Sequence, residues 1–289
     1  MGGRGKTPLV AYLARKFVAN GERPAILSRG YGRRRVEDGV VVVSDGEHLL
    51  ADLDRSGDEP LMLARSVPGA VVLVCEQRAI AAAMATQAFK ATVLLLDDGF
   101  QHRAMRRDLD LVIVAADDLR ARRLPFGPLR EGPGALRRAS AVVIDGEMSQ
   151  AERASLPVPA FRMARMLGQP TPLESGQAAP GPGSRVVALA AIARPERFSQ
   201  ALQSAGFTVT TSLTFRDHHQ FSLKDVSAAA AALRDTGASA VLTTEKDAVR
   251  LLSYRPLPVL FAYVPLTVEF DPAQGFDRWC AEKLREVRA

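Results

Sequence analysis

From Thr7 the apolar positions recur at helical spacing: Leu9, Leu13 and Phe17 share one face, and the run ends near Asn20-Gly21, where glycine can take the left-handed position that closes a helix. Short apolar runs follow at 24–28, 40–44, 70–75, 92–96, 109–115 and 141–144, alternating with helical stretches such as the one from Pro60 through Ala64. The alternation predicts an α/β domain over residues 1–155, with a mainly parallel sheet flanked by helices. Between 156 and 184 the pattern fades into a Pro and Gly-rich stretch containing Gln169-Pro170-Thr171-Pro172 and Ala179-Pro180-Gly181-Pro182-Gly183, the expected linker. A second, smaller α/β pattern fills 185–289: strand 186–190, helix 195–205, strand 208–213, helix 223–235, strand 240–243 and a C-terminal helix from about Phe276.

Composition narrows the class. At 289 residues with 47% hydrophobic and 24% charged positions, the chain is globular rather than fibrous or disordered. The 38 Lys and Arg exceed the 32 Asp and Glu by a margin that suits an anionic ligand or an acidic membrane surface. Nucleic acid is not expected, because the basic residues are scattered and aromatics are only 6% of the chain. Cys75 and Cys280 form no CxxC, so neither a disulfide framework nor a zinc site is read from them. The longest apolar clusters, such as 71–75 and 93–96, fall far short of the ~18 residues of a spanning helix. With a polar, Gly-rich opening in place of an apolar leader, the expected location is cytoplasmic.

Several segments carry chemistry. Gly2-Gly3-Arg4-Gly5-Lys6-Thr7 ends as a phosphate-binding loop ends and sits where a helix starts, so backbone N–H groups and the positive helix end would favour phosphate. Lys6 would meet the phosphates and Thr7 a magnesium ion, although a chance Gly-Lys-Thr at a helix start fits equally. Asp97-Asp98-Gly99-Phe100-Gln101-His102 follows an apolar run, placing two carboxylates at the carboxyl end of a presumed buried strand. In phosphate-loop enzymes an acid there holds Mg²⁺, while the bland alternative is an Asp-Gly turn.

Asp58 and Glu59 precede Pro60 at a helix start, where capping and dipole compensation account for most of Glu59. Asp217-His218-His219 places imidazoles beside an acid in a polar loop, either a solvated turn or a general base able to deprotonate a sugar hydroxyl. Arg130, in the rigid loop 124–131, suits a phosphate or an ion pair with Glu131 or another acid. Ser28-Arg29-Gly30-Tyr31-Gly32-Arg33 fits phosphate contact or a plain turn. Thr243-Thr244-Glu245-Lys246-Asp247 fits a site or a helix cap with internal ion pairs.

Taken in order, Gly-Lys-Thr-Pro at 5–8, Leu-Ser-Arg-Gly-Tyr-Gly at 27–32, Gly-Asp-Glu-Pro at 57–60, Asp-Asp-Gly-Phe-Gln-His at 97–102, Gly-Pro-Leu-Arg-Glu at 127–131, Asp-His-His at 217–219 and Thr-Glu-Lys-Asp-Ala-Val at 244–249 resemble the tetraacyldisaccharide 4'-kinases of lipid A biosynthesis. The resemblance implies a P-loop NTPase-like kinase domain joined to a smaller α/β domain, with the site between them. It also implies transfer of the ATP γ-phosphate to the 4'-hydroxyl of a tetraacyldisaccharide 1-phosphate, at the cytoplasmic face of the inner membrane with the enzyme bound peripherally.

Carried onto these positions, Gly2, Gly3, Arg4, Gly5, Lys6, Thr7 and Arg130 bind ATP phosphates, and Thr7, Asp97 and Asp98 hold Mg²⁺. Asp58 and His218 activate the hydroxyl with Lys6 as a further catalytic group, and Glu59, Gln101, Tyr31 and Arg29 contact substrate. Three departures stand out. The family carries an upstream membrane-associating helix and a strand feeding the phosphate loop, so the chain is expected to be N-terminally truncated. Arg4 replaces a usual Thr, and Ala191-Ile192-Ala193-Arg194-Pro195 stands where the family has Gly-Ile-Gly-Asn-Pro, losing glycines that permit positive φ. A catalytically weak remnant that binds nucleotide or acidic lipid, and a P-loop kinase for a soluble acceptor, are the alternatives.

Overall fold

The computed structural model describes residues 5–102, 105–124, 126–127 and 129–289. Helix α1 (Lys6–Ala19) leads into β1 (Pro24–Ser28), β2 (Val41–Asp45), α2 (Leu53–Ser56), α3 (Asp58–Ser66), β3 (Val71–Val74), α4 (Arg78–Gln87) and β4 (Val93–Leu96). Next come β5 (Leu111–Val114), α5 (Ala116–Arg120), a 3-10 turn (Pro133–Arg138), β6 (Ala141–Asp145), α6 (Gln150–Ala154), β7 (Ala160–Leu167) and β8 (Thr171–Pro172). The remainder is β9 (Arg185–Ala190), α7 (Pro195–Ser204), β10 (Thr208–Thr214), α8 (Leu223–Thr236), β11 (Ala240–Thr244), α9 (Glu245–Leu251), a 3-10 turn (Leu252–Tyr254), β12 (Phe261–Val264), β13 (Leu266–Asp271) and α10 (Ala273–Arg288).

Two compact units are assembled from interleaved stretches. The first takes Met1–Leu9, Leu96–Met166 and Val268–Ala289; the second takes Val10–Leu95 and Leu167–Thr267. The first unit is built on a sheet of order β13-β7-β6-β5, in which β5, β6 and β7 run parallel. One of its core clusters gathers Val114, Leu136, Val142 and Ile144.

The second unit holds two sheets. One has the order β2-β3-β1-β4, with β1 parallel and β2 antiparallel to β3. The other runs β10-β9-β11-β12-β8, parallel except for β8 at its edge. Helix α3, from the first of these sheets, packs on α9 from the second, and Val249 of α9 enters the core formed by Ile26, Leu63, Val72 and Val74. Each such fully buried aliphatic side chain stabilises the fold by about 1.5–3 kcal/mol, so this shared core holds α3 and α9 in register. That register is what carries the chemistry described below.

Local reasons for the elements are visible in the chain. Leu9 and Leu13 bury on α1, the helix ends at Ala19, and Gly21 takes φ +78° as the C-terminal closure expects. All five residues of β1 are buried, as a central parallel strand requires. Strand β4 departs from expectation: it lies at the end of its sheet order and all of its residues are half-buried, because an edge strand is covered on fewer sides.

The stretch 156–184 contributes β7 and β8. The helical and strand signals of β7 were obscured by Arg162 and Arg165, whose charges are met by Asp271 and Asp145 at 3.4 and 3.1 Å while Met163 points into the core. At the altered turn 191–195, neither Ala191 nor Ala193 is among the described residues with positive φ, so the lost glycines are not needed there. Instead the Ala191 N–H donates to Asp247 at 3.0 Å. Among the described residues, no helix is long and apolar enough to cross a membrane.

Candidate functional site

The first unit carries the phosphate-type residues. Gly5 precedes α1 with φ +79°, and its carbonyl accepts the first helical bond from the Leu9 N–H at 3.1 Å. Lys6 opens the helix and donates to Asp98 Oδ1 at 2.8 Å, with both side chains partly exposed. Thr7 occupies the same first turn. Asp97 is buried at the end of β4, whereas Asp98 holds φ +58°, a conformation that costs a non-glycine residue roughly 1–2 kcal/mol. Such strain is characteristic of functional loops, where surrounding contacts maintain it. Arg130 donates from Nη1 to Gln101 Oε1 at 2.8 Å, so its partner is a neutral amide and not Glu131, which pairs with Arg138 at 2.6 Å. Gly2, Gly3 and Arg4 lie outside the described residues.

The second unit carries the acid–imidazole pair. Gly57 caps α3 with φ +82° and ψ 166°, and a Cβ there would lie 3.0 Å from the Tyr31 carbonyl oxygen. This close approach seats the loop 28–33 beside the start of α3. Asp58 is the first residue of α3 and 6% exposed; its Oδ1 accepts from the Glu59 N–H at 2.9 Å. Its Oδ2 faces Nδ1 of His218 at 3.1 Å and accepts from Arg250 Nη2 at 2.6 Å and Nε at 3.1 Å.

Burial alone would push the Asp58 carboxyl up, but the charges of Lys246 and Arg250, the Arg250 hydrogen bonds and His218 overcome it and hold the group below its ordinary value. Asp58 is thus an anchored carboxylate. His218 adopts φ +60° and its ring meets the edge of the exposed Tyr31 ring at 5.5 Å. Arg29 is exposed at the start of that same loop.

His219 has a different setting. Its Nε2 lies 3.1 Å from Asp225 Oδ2 in the capping box that starts α8, and its ring stacks on Phe215 at 4.5 Å. Glu59, expected chiefly as a helix-start acid, also accepts from Lys246 Nζ at 3.2 Å.

Arg250 of this cluster was not singled out from the sequence, and Lys246 appeared there only within the charged segment 243–247, with no role of its own. Lys246 stands 3.3 Å from His218 Nε2 and 3.7 Å from Asp217, and Arg250, 2% exposed, spans Asp58 and Asp247. A signal was available, since positions 246 and 250 are one helical turn apart and therefore share a face of α9. The cap reading of this segment also holds: Thr244 Oγ1 accepts from the Asp247 N–H at 3.1 Å.

Parallel-dominated sheets flanked by helices, with a Lys-Thr helix start beside an Asp-Asp strand end, define a protein of the P-loop kinase fold. The sequence profile of the family described as LpxK, tetraacyldisaccharide-1-P 4'-kinase, matches residues 1–285. The chain belongs to the tetraacyldisaccharide 4'-kinase family.

Among its relatives, the tetraacyldisaccharide 4'-kinase of Syntrophus aciditrophicus strain SB is 34% identical over 307 aligned positions, covering 99% of this chain and 82% of that protein. The one from Anaeromyxobacter sp. strain Fw109-5 is 40% identical over 272 positions, covering 88% and 72%. The crystal structure of LpxK from Aquifex aeolicus in complex with ATP superposes with a TM-score of 0.76 at 27% identity, over 98% of this chain and 85% of that one.

Proposed function

We propose that this chain transfers the γ-phosphate of ATP to the 4'-hydroxyl of a tetraacylated glucosamine disaccharide 1-phosphate, a lipid A precursor. As a member of its family it is an ATP-dependent kinase acting on a hydroxyl. The observation that carries the chemistry is the 3.1 Å contact between His218 Nδ1 and an Asp58 carboxylate pinned by Arg250. The carboxylate accepts a hydrogen bond from the Nδ1–H, which leaves Nε2 with a lone pair to take the proton of the attacking hydroxyl. The bond from the 4'-oxygen to the γ-phosphorus forms as the bond from that phosphorus to the β–γ bridging oxygen breaks, and ADP leaves with the electron pair.

Lys6 and the backbone around Gly5 would bind the phosphates of ATP, with Arg130 as a further cation against them. Gly2, Gly3 and Arg4 complete the loop in this reading. Thr7, Asp97 and Asp98 offer only hard oxygen donors, a set that fits Mg²⁺, and are the residues that would hold it. Bound there, the ion would neutralise charge on the β and γ phosphate oxygens. Asp98 would exchange its ion pair with Lys6 for that role, freeing the ammonium for phosphate. Tyr31, Arg29, Glu59 and Gln101 are assigned to substrate contact, the first three from elements next to the acid–imidazole pair. An excess of basic residues and an acylated acceptor support peripheral work at the inner membrane.

The test is transfer of radiolabel from γ-labelled ATP to tetraacyldisaccharide 1-phosphate in detergent micelles. The parent chain should phosphorylate the lipid in a Mg²⁺-dependent manner, and D58A and H218A should each lose at least about 10²-fold in kcat. H219A should lose far less activity while weakening the start of α8. A folded parent chain without transfer overturns the assignment, and equal losses in H218A and H219A overturn the choice of base.

A further inference from the structure

We propose that the second unit carries a further ligand site, a cavity on a separate face of α9 from the acid–imidazole pair, which takes a small zwitterion with a hydrocarbon segment. Glu245 receives its ammonium group, and Arg65 and Arg255 receive its acidic group. The inference is independent of the reaction assigned above, because none of these three residues belongs to that machinery.

Helical geometry sets the place. In α9, Lys246 and Arg250 are one turn apart and both meet Asp58. Positions 245, 248, 249 and, in the turn that continues the helix, 252 share another face, whose centre is about 130° round the axis at 3.6 residues per turn. All four line a cavity of about 390 Å³. Met62, Ala64 and Arg65 of α3 contribute a second wall, Glu47 and His48 of the hairpin after β2 a third, and Pro172 of β8 with Tyr263 of β12 a fourth. Pockets for small molecules typically span about 300–1,000 Å³ and combine apolar walls with a few convergent polar groups.

Glu245 carries the argument. It is half-buried, and burial pushes its carboxyl above the ordinary value against the charge of Arg15. Among the described residues no donor hydrogen-bonds to that carboxyl, and Arg15 directs its Nε to the Ser66 carbonyl at 3.1 Å. Service to the helix start does not account for Glu245. That start is capped by Thr244, whose Oγ1 accepts from the Asp247 N–H at 3.1 Å, while the Asp247 carboxylate accepts from the Ala191 N–H and from Arg250, each at 3.0 Å. A desolvated carboxylate without a donor is costly, and a ligand ammonium supplies both the charge and the N–H groups it lacks.

The opposite end of the ligand follows from the two arginines. Arg65 and Arg255 are exposed, and among the described residues neither is hydrogen-bonded or ion-paired. His48, by contrast, already faces Asp45 at 3.4 Å. Glu47 and Glu245 balance Arg65 and Arg255 around the space, which suits a dipolar ligand better than a singly charged one. Met62, Leu173, Val249 and Leu252 add apolar wall on which a few methylenes can be buried. Because both α3 and α9 line the cavity, its occupant also braces the helix contact that seats Asp58 beside Arg250.

The test is calorimetric titration of the full chain at neutral pH with 4-aminobutanoate, 6-aminohexanoate and 8-aminooctanoate. Hexanoate and hexylamine serve as probes that lack one end each. At least one of the amino acids should bind with a Kd of about 1 mM or tighter, and the single-ended probes about tenfold or more weakly. E245Q should weaken the best amino acid by about tenfold or more and leave hexanoate unchanged. R65Q/R255Q should weaken it as much and leave hexylamine unchanged.

At about a hundredfold above Kd, the ellipticity transition of the second unit should rise by about 5 °C or more, and E245Q should abolish the rise. Emission of Trp279, in the first unit, should not follow it. Without ligand, E245Q should melt no lower than the parent, since it removes a desolvated charge that has no donor. A folded chain that binds none of the three amino acids overturns the proposal, as does binding that survives E245Q and R65Q/R255Q unchanged. A lower Tm in unliganded E245Q would assign Glu245 to the fold and overturn it as well.

Discussion

Arg250 is the residue whose removal should cost the second unit most, and the size of that cost follows from its surroundings. Its side chain is 2% exposed and its guanidinium donates to Asp58 at 2.6 and 3.1 Å, to Asp247 at 3.0 Å, and to the carbonyls of Ala191 and His219 at 3.3 and 3.4 Å. Arg250→Met keeps much of the apolar stem but leaves two buried carboxylates without their shared cation. Removing one partner of a buried ion pair typically destabilises by about 3–5 kcal/mol, because the remaining charge stays desolvated.

For a domain of about 150–250 residues, each kcal/mol moves Tm by roughly 2–4 °C, so the expected drop is roughly 6–20 °C. The single tryptophan, Trp279, lies in the first unit, so its fluorescence follows that unit while far-UV ellipticity reports both. The thermal transition of the second unit should therefore shift in the ellipticity trace without a matching shift in tryptophan emission. The triple variant D58N/D247N/R250M should recover at least half of the loss, since no buried charge is then left unpaired. A Tm for R250M within about 3 °C of the parent would refute the account of Arg250 as the anchor of Asp58.

Four further outcomes are expected. Lys6→Met should cost no more than about 1 kcal/mol in urea unfolding, because its ion pair with Asp98 is half-exposed, while kinase activity falls by at least about 10²-fold. Asp98→Gly, which relieves a positive φ, should melt no lower than the parent and still lose activity; a stable, active D98G would remove Asp98 from the site. Gly57→Ala should destabilise by about 1–3 kcal/mol and lower kcat by displacing Asp58, whereas Gly39→Ala, also at positive φ but with no atom within 4 Å of the added Cβ, should cost less; equal effects would refute the role given to the Tyr31 approach. Asp58→Asn should narrow its stability gap to the parent in acid: a carboxyl held below its ordinary value of 3.8 stabilises the fold above that pH and loses the contribution as pH falls through the lowered value, so a gap that persists unchanged at pH 2 would contradict the ionic anchoring.

What the sequence made legible follows the reach of each physical signal. Buried parallel strands such as β1 and β9 could be read because every position is apolar, and α1 because its leucines repeat at the helical period. Strand β7 could not, since its arginines find their acids at Asp145 and Asp271, which lie on other strands of the same sheet. The same limit separates the site residues that were named from those that were not. Asp58, Asp98 and His218 stand next to glycines or other polar residues at element ends, where local pattern exposes them. Arg250 sits inside a short helix between Val249 and Leu251, Lys246 was visible only as part of a charged run, and their charge acquires meaning only through Asp58, some 190 positions earlier in the chain, at 3.9 and 2.6 Å. A buried cation is informative only relative to the anion it serves, and that anion is fixed by the packing of α3 on α9 through Val249 and the surrounding core. The pairing of Asp58 with His218, the proposed base, therefore depends on this helix contact rather than on any one motif, and a substitution that loosens the contact should lower kcat without touching a single polar group of the site.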